Sequence, residues 1–261
     1  MKKCIVSIIG LVTLWLSSAI RADETNSAWL PETVTFWSVV ADKYVAFCLG
    51  VELYNKPVIQ SDLKASWACG LYVDLWNSSP LNGNWNDNFG SEVDYSVGWA
   101  GKLSKLGLTG PISELSLDIG TAYFDEPGVF SLGADDLLYS HIKLFKDTKW
   151  ATFMVAYENY IAMPGSSYGK PTGNLLSVGV SKDTSLFNGL LNPRTFFIVS
   201  YDTGCLGLDS GVLLRGGAEL DWRLSKHLSL VCPQVNYFAP INMNDSRRLT
   251  AVVYAGFSYK F

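Results

Sequence analysis

The last 13 residues, Leu249–Phe261, read LTAVVYAGFSYKF and alternate between two kinds of side chain. One set is apolar and ends in three aromatic residues: Leu249, Ala251, Val253, Ala255, Phe257, Tyr259 and Phe261. The other set carries most of the polar groups and a glycine: Thr250, Val252, Tyr254, Gly256, Ser258 and Lys260. Alternation at period two indicates a β-strand whose two faces meet different surroundings. The stretch therefore predicts a long strand with one apolar and one polar face.

The aromatic end of this strand gives a second indication. Phe257, Tyr259 and Phe261 share one face, and this ending resembles the C-terminal signal that the assembly machinery of outer-membrane barrels recognises. In a membrane-spanning barrel the outward face must be apolar, whereas the inward face can be polar. A soluble β-sandwich also alternates, but its outward face would be polar. The pattern favours a barrel, with outer-membrane lipid and the barrel assembly machinery as partners.

The same alternation recurs along the chain, for example in Glu92–Gly101, Glu114–Phe124 and Val212–Arg223, where charged residues share the face opposite the aliphatic one. We predict an all-β protein, a transmembrane antiparallel up-and-down β-barrel of about 12 strands, with ten or fourteen as the alternatives. An even number suits a barrel whose two chain ends lie in the periplasm. The strands are predicted near residues 33–47, 57–67, 70–77, 91–101, 112–124, 136–146, 150–160, 174–182, 195–202, 211–224, 227–237 and 248–261.

The connections between these strands alternate in length. Long stretches rich in Gly, Asn and Pro follow odd strands and are predicted to be extracellular: Ser78–Gly90, Asp125–Asp135, Ile161–Gly173, Thr203–Ser210 and Phe238–Arg247. Short turns follow even strands and are predicted to be periplasmic: Ala68–Cys69, Asp147–Lys149 and Ser225–Lys226. This is the loop asymmetry of outer-membrane barrels. Lys102–Pro111 and Asp183–Arg194 are long for periplasmic turns, and we interpret the second as a short amphipathic helix at the membrane surface.

The chain begins with a pattern that predicts export. Lys2 and Lys3 precede an apolar run, Cys4–Leu16, and small residues follow up to Ala22, which is the order of a secretory signal peptide. The run has 13 residues, whereas a membrane-spanning helix needs about 20 apolar residues. We therefore expect residues 1–22 to be a signal peptide, cut after Ala22 or after Ala19, and residues 23–261 to form the barrel.

The charge and the cysteine content narrow the range of functions that the chain could have. Removing residues 1–22 takes away three of the 20 basic residues and leaves all 24 acidic ones, so the net charge becomes 17 − 24 = −7. This balance gives no support to nucleic-acid binding. Cys48, Cys69, Cys205 and Cys232 match no zinc spacing, so no metal site and no cofactor are expected. Cys48 and Cys205 both fall in predicted extracellular segments, and they either form a disulfide or stay free.

One third of the chain resembles a known family. Asp42–Phe47 is followed by Gly50 and by Asn55–Gln60, which reads NKPVIQ; a strand then carries Gly70–Val73 and Leu75–Ser78, and a further strand starts with Ser91–Asp94. This order resembles the putative-porin family of proteobacterial outer-membrane proteins. The family's opening motif carries an arginine where Cys48 and Leu49 stand here, so that basic residue is missing. The resemblance implies a small barrel with channel function and no defined substrate.

The inward face of such a barrel would carry the residues that set ionic selectivity. The predicted lumen residues are Asp74, Glu92, Asp94, Glu114, Asp118, Glu158, Arg215, Glu219 and Asp221, together with Asp62, Lys64, Lys143, Arg223 and Lys260. Because acidic residues are in excess, we predict a porin-like channel for passive or weakly selective diffusion of small hydrophilic solutes or ions, preferring cations. The alternative is that these charges pair across the lumen and plug it, since small barrels fill their interiors with side chains.

Two other functions remain open. A plugged barrel could act as a surface binding protein through its loops, where Trp85 and Phe89 are aromatic anchors of the kind that interfaces use. An outer-membrane lipid hydrolase would need a base and a nucleophile on one strand face, and His227 and Ser229 have that spacing. The topology places His227 at the periplasmic end, and no acid is evident to orient its ring. We therefore expect no catalytic residues. His141, alone on its strand, is predicted to be a lumen residue.

Overall fold

The computed structural model describes residues 30–81, 91–125, 136–164, 172–243, 245 and 247–261. The predicted signal peptide and the loop with Trp85 and Phe89 lie outside this range. The strands are β1 (Thr33–Ala41), β2 (Tyr44–Ala46), β3 (Val51–Tyr54), β4 (Val58–Ser66), β5 (Leu71–Pro80), β6 (Glu92–Lys102), β7 (Ser116–Asp125), β8 (Leu137–Asp147), β9 (Thr152–Ala162), β10 (Thr172–Asp183), β11 (Leu191–Asp202), β12 (Gly211–Arg223), β13 (Leu228–Ile241) and β14 (Thr250–Lys260). Short 3₁₀ segments span Leu103–Leu106, Gly110–Glu114, Phe187–Gly189 and Cys205–Gly207. Within the described ranges, no helix is long and apolar enough to cross a bilayer.

Twelve of these strands form one closed antiparallel barrel. Each pairs with its neighbours in the chain, from β4 round to β14, and β1 closes the sheet by pairing with both β4 and β14. At the closing seam, Thr35 lies opposite Lys260 and Ala41 lies opposite Val58. Strands β2 and β3 pair only with each other. The predicted twelve-stranded up-and-down barrel is therefore confirmed.

The two ends of the barrel differ. The chain enters β1 and leaves β14 at the same end, which also carries turns such as residues 148–151 and 224–227; we call it the short-turn end. The opposite end, the long-loop end, carries residues 42–57 between β1 and β4, residues 203–210 between β11 and β12, and residues 242–249 between β13 and β14. Barrels of this kind place short turns in the periplasm and long loops outside the cell.

The wall shows the two faces that the sequence predicted. In β14, Val253 is 46% exposed on the outer surface, while Val252 is fully buried inside. Around the barrel the outward side chains form a continuous apolar surface that includes Val97, Ile119, Ile142, Val155, Val178, Phe197 and Phe257, all of them exposed. Leaving this surface in water would be costly at about 25 cal/mol per Å². The outer wall is therefore suited to lipid.

The first predicted strand, residues 33–47, is wrong in its second half. Strand β1 ends at Ala41, and the chain then turns inward to form the β2–β3 hairpin, with Tyr44 paired to Tyr54. Val45 and Leu49 are buried in this segment. The apolar pattern continues past Ala41 because these side chains pack inside the barrel and not because they face lipid.

Other boundaries also differ from the sequence prediction. The strand predicted at 112–124 begins only at Ser116, after the Gly110–Glu114 turn that contains Pro111. The segment interpreted as an amphipathic helix, Asp183–Arg194, is a continuation of the β10–β11 hairpin, with a bridge between Leu186 and Leu191. Its tip is the single short 3₁₀ segment Phe187–Gly189, whose residues have positive φ, so the chain turns tightly there and forms no amphipathic helix.

Candidate functional site in the barrel lumen

The β2–β3 hairpin and its flanking residues cross the lumen at the long-loop half of the barrel. On one side Tyr44 and Val45 belong to a buried cluster with the wall residues Val39, Ala41, Val58, Leu213, Phe238, Val252 and Tyr254. On the other side Leu49 belongs to a second cluster with Ala122, Leu137, Tyr139, Tyr160 and Leu175 of the wall and with Cys205 and Leu206 of a loop. Because the two clusters involve opposite parts of the wall, the hairpin fills much of the lumen at this level.

Polar contacts fix the hairpin at three further points. The Tyr44 hydroxyl donates to Glu92 on β6. The Arg215 guanidinium donates to the carbonyl oxygen of Phe47 at 3.3 Å and also lies over the Phe47 ring. The Cys48 thiol lies 3.8 Å from the Glu158 carboxylate. The hairpin is thus held by the wall through both apolar packing and hydrogen bonds.

Gly50 is required where the hairpin turns. Its φ is +67°, a conformation that residues with a side chain rarely adopt. A Cβ at this position would also lie 2.9 Å from a methyl group of Leu213. The glycine therefore permits both the turn and the close packing of the hairpin against β12.

Two charged side chains at the level of the hairpin, Glu158 and Arg215, make hydrogen bonds inside the barrel. Glu158 accepts from Lys143 at 3.1 Å and from the Tyr139 hydroxyl at 2.6 Å. Arg215 donates to the Ser200 hydroxyl at 2.8 Å. The contacts of Glu158 offset the cost of burying its charge, whereas Arg215 bonds only to neutral oxygens and its Nε has no partner among the described residues. The ion pair at this level, Lys143–Glu158, joins the neighbouring strands β8 and β9 and does not cross the lumen.

A cavity of about 880 Å³ lies beside the hairpin and extends toward the short-turn end. Thr152, Ser181 and Arg194 line it near the short turns, and hairpin residues line its other end. Its carboxyl groups are those of Asp62, Asp74, Glu92, Asp94 and Glu219, and Arg194 is the one basic residue among the described lining residues. The lining is therefore acidic.

Two tryptophans and two carboxylates form a row across four neighbouring strands. Trp37 of β1 pairs with Asp62 of β4, which pairs with Trp76 of β5, and Trp76 pairs with Asp94 of β6. All four line the cavity. Trp76 also lies against Tyr44 of the hairpin, with ring centroids 5.7 Å apart. We call these four residues the aromatic–carboxylate row.

Most of the predicted lumen residues lie inside the barrel, but in three separate environments. Asp74, Glu92, Asp94 and Glu219 line the cavity, whereas Glu158 and Arg215 contact the hairpin region. Asp118 accepts from the Tyr72 hydroxyl at 3.0 Å and contacts the His141 ring at 3.1 Å. Asp221 shares the inward face of β12 with Glu219, opposite Asn192 of β11. Their role in selectivity stays a prediction.

The placement of Glu114 on the inner wall is wrong. It ends the Gly110–Glu114 turn outside the strands, and its side chain is 69% exposed. It pairs with Lys146, and this contact lowers the pKa of Glu114 below its ordinary value. The inward-facing pattern of β7 was extended two residues too far, since the backbone leaves the sheet after Lys102 and enters it again only at Ser116.

The Tyr72 side chain can reach Asp118 because the two positions that it lies over on the inner surface are glycines. A Cβ on Gly98 would lie 2.4 Å from the Tyr72 ring, and one on Gly120 would lie 2.6 Å from its hydroxyl. Any side chain at either position would displace Tyr72. The sequence shows the two glycines, but only the strand pairing shows that they face the same tyrosine.

A second buried network closes the long-loop end. Arg247 donates to Asp202 at 2.6 Å and to Asp245 at 2.9 Å. Asp202 also accepts from the backbone N–H groups of Gly204 and Cys205, both at 2.8 Å. Burial alone would raise the pKa of Asp245, but the hydrogen bonds from Arg247 outweigh it and lower that pKa. The network ties the 203–210 loop to the 242–249 loop.

The cysteines and the histidine–serine pair differ from the sequence expectations. Cys48, Cys69, Cys205 and Cys232 are all free, so the Cys48–Cys205 disulfide is not formed. Cys48 lies in the lumen and not outside the barrel. The His227 ring contacts the backbone carbonyl of Lys260 at 2.7 Å and stacks on Tyr259. No hydrogen bond between His227 and Ser229 is present among the described residues.

No protein-family model and no curated protein matches this sequence. Solved structures do match its fold. A KdgM porin in complex with disordered oligogalacturonate has 9% identity and a TM-score of 0.53, with 88% of this chain and 99% of that chain covered. The NanC porin has 12% identity and a TM-score of 0.54, with 88% and 100% covered. An outer-membrane channel from Pseudomonas putida F1 has 8% identity and a TM-score of 0.50, with 92% and 100% covered.

At these identities the comparisons show the fold alone. The barrel is of the type found in outer-membrane porins and channels, and it spans nearly the full length of each of these neighbours. This agrees with the porin resemblance in the first third of the sequence.

Proposed function

We propose that the protein is an outer-membrane channel of the porin type, through which small hydrophilic solutes or ions diffuse along the barrel lumen. The observation that carries the proposal is a closed twelve-stranded barrel with an apolar outer surface and an acidic cavity inside. Outer-membrane lipid covers the apolar surface. The barrel can lie in the bilayer because, once closed, it leaves no unpaired strand edge there. The porin and channel neighbours listed above support this assignment through their fold.

The β2–β3 hairpin is the main obstacle to the flow of ions and solutes through the lumen. It fills the lumen with two apolar clusters, so water and ions pass only where side chains leave room beside it. We therefore expect small single-channel steps from the native protein, compared with an empty barrel of the same strand number.

Selectivity for cations follows from the acidic lining. In a salt gradient across a planar bilayer, the reversal potential of the native protein is expected to indicate cation preference. Replacing Asp74 and Glu219 together (Asp74→Asn, Glu219→Gln) should lower the cation-to-anion permeability ratio by about twofold for each charge, equivalent to ~0.4 kcal/mol each. Glu114→Gln removes a carboxylate outside the wall and should leave the ratio unchanged.

This experiment also tests the channel itself. A correctly folded barrel that gives no conductance steps at all would exclude diffusion through the lumen. Conductance steps without cation preference would support the channel and would refute the role of the acidic lining in selectivity.

The C-terminal aromatic residues serve assembly in this proposal. Phe257 and Phe261 are exposed on the outer face, and Phe257 packs against Phe36 across the closing seam. Tyr259 contacts Phe261 edge-to-face and stacks on His227. The barrel assembly machinery would recognise this exposed aromatic edge before β1 and β14 close.

Phe261→Ala is therefore expected to reduce the amount of folded, heat-modifiable protein in the outer membrane severalfold, with little effect on the thermal stability of the barrel once formed. Leu249→Ala, at the other end of the same strand face, is the matched control. Equal membrane levels for Phe261→Ala and the native protein would contradict an assembly role.

A second candidate function is a plugged barrel that binds partners through its loops. It is favoured by the dense packing of the hairpin at the long-loop half of the lumen. Conductance distinguishes the two: a native protein that is silent, while a variant without the hairpin conducts, would favour the plugged barrel. A third candidate, a lipid hydrolase, has only the His227–Ser229 spacing in its favour.

A further inference from the structure

The aromatic–carboxylate row has the composition of a receptor for organic cations. Its order across the sheet is Trp37, Asp62, Trp76 and Asp94, so each carboxylate has an indole beside it and Asp62 has one on either side. Indole faces attract cations, and they do so more strongly when water is excluded. Carboxylates supply the charge-assisted hydrogen bonds that fix such a cation.

The spacing of the row argues against a metal ion. Asp62 and Asp94 lie two strands apart, a separation of roughly 9–10 Å at the backbone. A single divalent metal ion needs its oxygen ligands within about 2.6 Å. No group of three or more metal-ligating side chains is found among the described residues. A ligand that spans the row must therefore be several atoms across.

Several residues that line the same cavity carry unsatisfied polar atoms. Asp62 and Asp74 both line the cavity, and each keeps one buried oxygen without a partner among the described residues. Asn236 lines the cavity from β13, is 3% exposed, and has an unpartnered Oδ1. A buried polar group without a partner is costly, and a ligand that donates a hydrogen bond to it would remove that cost.

The neighbouring wall already shows this chemistry. The Lys64 ammonium lies 4.1 Å from the centroid of the Tyr72 ring, one inward position further toward the short-turn end. Tyr44 of the hairpin packs on Trp76 and supports one of the two indoles of the row. The cavity, at about 880 Å³, is within the size range of small-molecule sites.

We propose that the aromatic–carboxylate row is a saturable binding site for small organic cations, namely ammonium, amidinium or guanidinium groups on an apolar or planar body. The ligand enters from the short-turn end, where Thr152, Ser181 and Arg194 line the cavity, and stops beneath the hairpin. This deepens the proposed channel function by naming the class of solute that the lumen retains. Inorganic cations, which lack an apolar body, pass without being held.

The test is calorimetric titration of the refolded full-length barrel in detergent with benzamidinium, a planar cation, and with benzamide, its neutral isostere. We expect saturable binding of benzamidinium and at least tenfold weaker binding of benzamide. Asp62→Asn and Trp76→Leu should each weaken benzamidinium binding about tenfold or more. Glu114→Gln and Trp150→Leu change an exposed carboxylate and an exposed indole at the short-turn end, and should bind as the native protein does.

Each outcome decides the proposal. Heat-modifiable migration on gels first shows that every variant is folded. Equal binding of benzamide and benzamidinium, unchanged binding in both row variants, or no saturation with benzamidinium would each overturn the site. Conductance measured on the same preparations separates this result from the channel: binding without conductance refutes only the proposed function, and conductance without binding refutes only the site.

Discussion

Replacing residues 42–57 by an Asn-Gly turn is expected to raise the single-channel conductance of the barrel severalfold, or to convert a silent barrel into one with discrete steps. Ala41 and Val58, which flank this segment, lie directly opposite each other in the β1–β4 pair. A two-residue turn of this type joins such partners without changing the register. The variant keeps all twelve strands of the wall and removes the side chains that fill the lumen.

The physical reason is the packing of the hairpin. Tyr44, Val45 and Leu49 leave with it, and the apolar wall residues that they covered then face water. Glu92, Glu158 and Arg215 lose one partner each and gain water in its place. We therefore expect a wider, wetter lumen and a lower thermal stability of the barrel.

A matched control is available at the other end. Lys102 and Ser116 are also direct partners, so the 103–115 connection at the short-turn end can be replaced by the same Asn-Gly turn. None of its residues lines the cavity. The conductance of this control variant should equal that of the native protein. If the variant without the hairpin is folded and still conducts like the native barrel, the hairpin is not the resistance along the path.

Arg247→Ala is expected to destabilise the long-loop end by about 3–5 kcal/mol. The Arg247 and Asp202 side chains are both fully buried, and the variant would leave Asp202 buried without its cationic partner. The loss of stability should appear as a lower temperature of heat modification and as faster proteolysis in the 203–210 and 242–249 loops. Arg248→Ala removes the adjacent, exposed arginine and should have little effect. Comparable stability of the two variants would show that the network adds no net stability.

The same network predicts a dependence on pH. The pKa of Asp245 is lowered in the folded protein, from an ordinary value of 3.8, mainly because Arg247 bonds outweigh burial. A lowered pKa means that the stabilisation is present above the unfolded-state value and is lost as the pH falls through the folded-state value. The native barrel should therefore lose loop order below about pH 4, as measured by proteolysis with an acid protease. Arg247→Ala should show a smaller change over this range.

Much of the wall was predictable because a barrel in lipid imposes a simple rule. Every second residue faces lipid, so the alternation of apolar residues in the sequence predicts the outward faces of β14, β12 and β6. The alternation also assigned most inward carboxylates correctly, including Asp74, Asp118 and Glu219. Where the rule failed, at Glu114, the backbone had left the sheet, and a two-residue alternation does not show where a strand starts.

The hairpin was not predictable by the same rule. Val45 and Phe47 read as a continuation of β1, because an apolar side chain in a filled lumen and one in lipid look alike in a sequence. Gly50 and the Asn55-Lys56-Pro57 stretch were the available signals that the strand had ended. They mark a turn, but they do not say on which side of the wall the chain folds.

The sequence by itself determined the strands, their two faces and the acidic character of the lumen, since each follows from the residues on one strand and the solvent that each face meets. Only the tertiary structure decided which of these residues meet. The register across β1, β4, β5 and β6 brings Trp37, Asp62, Trp76 and Asp94 into one row. The inward fold of residues 42–57 separates a paired, filled half of the lumen from an acidic, open one. The row depends on the register between paired strands, and the hairpin depends on contacts with distant residues such as Leu213 and Phe238. A local pattern carries no information on either.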